Sequence, residues 1–128
     1  MNSSSNEDQI RLLVDNWAQA VRDGDMEAVL KRHMDNIVMF DVMPPLQFNG
    51  MKEYKETWEL FFQYSPGGEG SFELVDLNIT AGSEIAFGHA LLKIGGSKIP
   101  QCRLTLGFQK IDGAWFIAHE HHSAPSTN

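Results

Sequence analysis

The sequence predicts an α+β domain in which helices pack on one face of a curved sheet, and three features predict it. Apolar residues recur at helical spacing as far as residue 63, and the period switches to two from Phe72 onward. The third feature is the short, glycine-marked connections of the second half. Connections that short force neighbouring strands to run antiparallel, because a parallel crossover needs about a dozen residues. At 128 residues the chain is read as one domain, 1–128, with polar tails at 1–6 and 124–128 expected to be flexible.

The elements follow in order. Ser4 and Glu7 fit a capping box, opening a helix over residues 8–22 whose inner stripe is Ile10, Leu13, Val14, Trp17 and Val21. Asp23-Gly24-Asp25 stops it and caps a shorter helix over 26–33. The β-branched and aromatic run Ile37-Val-Met-Phe-Asp41 predicts a strand ending at an acid. Pro44-Pro45 cannot continue a sheet interior, since proline has no N–H to donate. Asn49-Gly50 leads into a helix over 51–63 with an aromatic face of Tyr54, Trp58, Phe61 and Phe62. Residues 65–71 are a flexible loop, and strands follow over 72–80, 84–94, 101–110 and 114–122.

Composition removes several function classes. A net charge of −7 lacks the basic footprint that nucleic acid or an anionic membrane requires, so neither is expected as a partner. One cysteine, Cys102, allows no internal disulfide, and no apolar run reaches the ~18 residues of a membrane helix. The N-terminus lacks the cationic and apolar regions of a signal peptide, so the cytoplasm is the expected compartment. The glycine-rich loop at 66–70 contains an acid and follows no strand, which argues against phosphate binding.

The last strand carries the polar residues of interest. Strict alternation puts Trp115, Ile117, His119, His121 and Ser123 on one face and Phe116, Ala118, Glu120 and His122 on the other. With a three-residue loop Ile111-Asp112-Gly113, Thr105 faces His119, Leu104 faces Glu120 and Arg103 faces His121. A two-residue loop shifts every pair by one. His119 and His121 could together reach a metal, but no third ligand is apparent and none is expected. His33 and His89 read as wall or core histidines.

Ala20-x-x-x-Gly24-Asp25, Phe40-Asp41-x-x-Pro44, Gly50 before an aromatic helix, and Asp112-Gly113-x-Trp115-x-Ile117-x-His119-x-His121-x-Ser123 together resemble the SnoaL-like, ketosteroid isomerase-related branch of the nuclear transport factor 2-like superfamily. The resemblance implies a cone-shaped, cystatin-like α+β domain. In it three N-terminal helices pack on a strongly curved, mainly antiparallel sheet of mixed order that encloses a pocket. It also implies a homodimer through the sheet and a small hydrophobic ligand, with no cofactor.

By position, Asp41 resembles the general base of ketosteroid isomerases. Trp17 and Trp58 stand where pocket tyrosines are expected, which argues against steroid isomerisation itself. The resemblance turns the Glu120 and His122 face toward the pocket, leaving Glu120 among Phe116, Leu104 and Leu106. Burial there predicts a raised carboxyl pKa, suited to acid or base work beside Asp41. The expected catalytic pair is therefore Asp41 and Glu120, with Trp17, Tyr54, Trp58, Phe62, Leu104 and His122 binding substrate. Arg103, His119 and His121 form a second rank.

The implied activity is proton transfer, isomerisation, cyclisation, dehydration or hydrolysis of a hydrophobic substrate. The competing reading is a non-catalytic ligand-binding or oligomerisation module. The histidine-rich strand also resembles the association domain of calcium/calmodulin-dependent protein kinase. In that reading Asp41 caps the Pro-Pro loop and Glu120 pairs with Arg103 or a histidine.

Overall fold

The computed structural model describes residues 5–65 and 67–126. The expected cap at Ser4 lies outside the described residues, as do residues 1–4 and 127–128 of the two tails. Helix α1 (Asn6–Asp23) is capped by Ser5, whose hydroxyl accepts the Asp8 N–H at 3.1 Å, so Asn6 is helical rather than part of a tail. Gly24 ends it in the left-handed region at φ 66°, where a side chain would be strained. Helix α2 (Met26–Leu30) is shorter than expected, because Arg32 takes a positive φ of 58° and His33 already begins a strand.

Strand β1 (His33–Phe40) is followed by the two-residue β2 (Phe48–Asn49), too short to have a sequence signature. Asp41 lies just past the strand rather than within it. Helix α3 (Gly50–Tyr64) precedes the meander β3 (Phe72–Ala81), β4 (Ile85–Ile94), β5 (Cys102–Ile111) and β6 (Ala114–Ser123). The six strands form one curved mixed sheet in the order β2-β1-β6-β5-β4-β3, with the β1–β6 pair parallel and all others antiparallel. This is the expected cystatin-like architecture. Helix α1 packs mainly on β3 and α3 on β1, closing a core that includes Val14, Trp17, Ile37, Tyr54, Trp58 and Phe72. No helix among the described residues is long and apolar enough to cross a membrane.

The β5–β6 hairpin departs from expectation in a way that sets the site. Asp112 and Gly113 both have positive φ, 50° and 82°, which makes a two-residue turn instead of three. The pairs nearest the turn are Ile111 with Ala114 and Phe108 with Ile117, but the next is Gly107 with His119. Ala118 is thus an extra residue, a β-bulge, and it reverses the facing of everything beyond it. Trp115 and Ile117 point into the core before the bulge and Glu120 after it. The expected pairings of Thr105 with His119, Leu104 with Glu120 and Arg103 with His121 are replaced by Thr105 with His121, Leu104 with His122 and Arg103 with Ser123. Phe116 consequently does not share Glu120's face; Arg32 lies over its ring at 5.5 Å instead.

Candidate functional site

Glu120 is completely buried, and an unpartnered carboxylate in that position would be prohibitively costly. Three side chains resolve it. The Tyr54 hydroxyl, from α3, donates to Oε2. His33, the first residue of β1, brings Nε2 to 2.9 Å from Oε2 and 2.8 Å from the Tyr54 oxygen. His122, two residues on along β6, places Nε2 3.0 Å from Oε1. Burial alone would raise the Glu120 pKa, as the sequence suggested. The hydrogen bonds and positive charge of His122 and His33 outweigh it and bring the pKa down to about 2. Glu120 is therefore a carboxylate, contrary to the expectation of a raised pKa.

The Tyr54 phenol moves the other way, held well above its ordinary value first by burial and then by the adjacent Glu120 charge. The indole N–H groups of Trp17 and Trp58 are buried without a full hydrogen bond, yet both lie close enough to the Tyr54 oxygen to oppose that rise. The two tryptophans meet edge to face with centroids 6.0 Å apart.

In front of this cluster lies a cavity of about 610 Å³, bounded by α3, the loop after β1 and the inner face of the sheet. Its walls are mostly apolar, with Met39, Phe48, Trp58, Phe61, Phe72 and Ile94 among them. Asp41, Glu56, Thr57, Tyr64, Cys102 and His122 are polar or ionisable exceptions, and among the described residues no lysine or arginine lines it. Burial pushes the Cys102 thiol pKa up, and the Asp41 charge adds to that rise.

Of the residues singled out in the sequence, the cavity wall takes Asp41, Trp58 and His122. Glu120 and Tyr54 lie behind His122, and Leu104 is core opposite it. Trp17 faces a separate groove between α1, α2 and the β5–β6 turn, and Phe62 packs against Trp58 with centroids 6.0 Å apart. Arg103 and His121 are exposed, while His119 brings Nδ1 to 2.6 Å from the Val38 carbonyl and stacks edge-on against Phe40. Asp41 Oδ1 accepts the Val42 N–H at 2.7 Å, a local loop cap. Among the described residues no group of three or more His, Cys, Asp or Glu is arranged to hold a metal ion.

His33 is buried, as its reading as a wall or core histidine anticipated, but its place beside Glu120 was not legible in the sequence. Its partner Glu120 is 87 positions away, and no local pattern marks a pair formed only by parallel pairing of β1 with β6. The buried role of Tyr54 was equally unmarked, since its helical stripe fits a cavity wall as well as a core.

The SnoaL-like domain family matches residues 10–127. An NTF2-like protein of unknown function from Pseudomonas putida KT2440 superimposes with a TM-score of 0.86 at 35% identity, over 98% of this chain and 90% of that one. A proposed dehydratase of the NTF2-like family from Streptomyces avermitilis gives a TM-score of 0.77 at 19% identity, over 95% and 97%. A proposed ketosteroid isomerase from Parabacteroides distasonis ATCC 8503 gives 0.75 at 15%, over 96% and 90%. No curated protein matches the sequence significantly.

Proposed function

The chain belongs to the SnoaL-like family, and from that premise we propose that it binds a small, largely apolar molecule in the cavity and moves a proton on it without a cofactor. His122 is the acid–base group in this reading. Its Nε2–H is committed to Glu120, which leaves Nδ1 as the basic nitrogen for the ligand. Asp41, on the same wall, is the second acid–base group. Glu120, expected from sequence to assist directly, acts through His122.

The observation that carries the reading is the 3.0 Å His122–Glu120 contact at a mostly apolar wall. The absence of lysine and arginine from that wall, against two carboxylates, disfavours an anionic ligand. A neutral molecule bearing a carbonyl or hydroxyl fits best. Proton abstraction beside the carbonyl, or loss of water across an adjacent bond, is the reaction class. The Tyr54 phenol is spent on Glu120, which supports leaving steroid isomerisation aside.

The test is a thermal-shift and native mass-spectrometric screen of neutral carbonyl compounds, followed by turnover of each binder. His122→Gln is expected to lower kcat by about 10²–10⁴ with binding retained. Turnover unaffected by both His122→Gln and Asp41→Asn would sink the reading.

A second feature supports self-association through the outer sheet face, where Ile85, Phe87 and Leu91 are exposed. Light scattering at micromolar concentration is expected to give a dimer, and Phe87→Lys a monomer.

A further inference from the structure

We propose that His33, Tyr54 and Glu120 form one buried unit that holds an extra proton on His33 and thereby fixes His122 in a single tautomer. The functional meaning of this unit rests on the reading of His122 given above. Its test does not.

The argument is a proton count. His33 Nδ1 lies 3.0 Å from the Lys31 carbonyl, an acceptor only, so Nδ1 carries a proton. In a neutral imidazole Nε2 would then present a lone pair. That lone pair would face Glu120 Oε2 at 2.9 Å and the Tyr54 oxygen at 2.8 Å. Three acceptors in mutual contact would share one proton, that of Tyr54, and two would repel each other without water to screen them. A second proton, on His33 Nε2, removes the conflict. His33 then donates to Glu120, Tyr54 donates to the same oxygen, and the His33–Glu120 pair is net neutral inside the core.

Among the described residues the surroundings offer no other source of compensation. Trp17 from α1 and Trp58 from α3 bring only indole N–H groups. Leu106 of β5 pairs with Glu120 itself, Leu104 pairs with His122, and among the described residues the cationic groups acting on the carboxylate are His33 and His122. With Oε2 occupied by two donors, Oε1 is the acceptor left for His122 Nε2. The orientation of the carboxylate therefore decides which nitrogen of His122 carries its proton. Nδ1 has no hydrogen-bond partner among the described residues, and His122 is in the cavity wall. His33 and Tyr54 are thus positioning residues, acting through Glu120.

The experiment is imidazole nitrogen NMR on uniformly ¹⁵N-labelled full-length protein at about pH 8, where a free histidine is neutral. Wild type is expected to show His33 protonated on both nitrogens and His122 protonated on Nε2 alone. In Glu120→Gln the amide can donate to His33, whose Nε2 proton signal is expected to be lost. In Glu120→Ala His122 is expected to populate both tautomers. A wild-type His33 lacking the Nε2 proton overturns the proposal, and this readout needs no variant to fold. So does a His122 tautomer identical in wild type and folded Glu120→Ala. Either result, with turnover still lost in His122→Gln, would remove the unit and leave the proposed function standing.

Discussion

Glu120 and His122 stand two positions apart on β6 and face the same way, so that Oε1 of one meets Nε2 of the other at 3.0 Å. Neighbours at that spacing share a face of any strand, and what makes this pair notable is the difference in depth. Glu120 has no exposure, while His122 is the member that reaches the cavity wall.

Stability should fall in acid through Glu120. Its folded pKa is about 2 against an ordinary 4.5, a depressed value, so the carboxylate favours the folded state. That contribution is complete above the unfolded pKa and is lost as pH falls from there toward the folded one. Denaturant titrations at about pH 6 and about pH 2.5 should show wild type losing about 2–3 kcal/mol more than Glu120→Gln. Equal losses would mean that Glu120 is not held ionised.

Removing the Tyr54 hydroxyl takes a donor from a buried carboxylate. Tyr54→Phe should cost about 1–3 kcal/mol in unfolding free energy, measured by urea denaturation. Because the phenol is held well above its ordinary value, the native absorbance gained between about pH 9 and 11 should be the same in wild type and variant.

Cys102 offers a probe of the cavity. Burial and the Asp41 charge both hold its thiol up, so it should react with a disulfide reagent more slowly than a small thiol at the same pH. Asp41→Asn should speed the reaction a few-fold, and a ligand seated in the cavity should slow it. Thiolate release followed by absorbance checks both effects.

Deleting Ala118 should restore strict alternation along β6 while keeping Glu120 and His122 inward, because Ile117 and His119 already pair with the successive residues Phe108 and Gly107. The thermal midpoint should therefore fall far less than in His33→Ala, where breaking the buried pair costs about 3–5 kcal/mol. Ala118→Gly, which keeps the extra residue, should leave the midpoint nearly unchanged.

Much of the scaffold was legible because it rests on local rules. The stripe Ile10, Val14, Trp17 and Val21 gives α1 its inner face, and Gly24 its stop. The change to a two-residue period at Phe72 marks the start of β3, and short connections give the antiparallel meander. The short β2 was illegible, since two residues between prolines and a helix carry no periodic signal. The end of α2 was misplaced because the positive φ of Arg32 turns the chain into β1, a conformation not written in the residue type.

The sequence by itself determined the α+β order, the family and the placing of Glu120 and His122 on one face of the last strand. Periodicity and turn chemistry act over a few residues, and those features need nothing more. The family resemblance already turned that face toward the pocket; tertiary structure decided that Phe116 does not share it, through a bulge at Ala118 in the β5–β6 ladder. It also decided the charge of Glu120. Burial alone pushes a carboxyl toward its neutral form, and only the arrival of His33 and Tyr54 from distant parts of the chain, with His122 beside it, makes an ionised Glu120 the stable state.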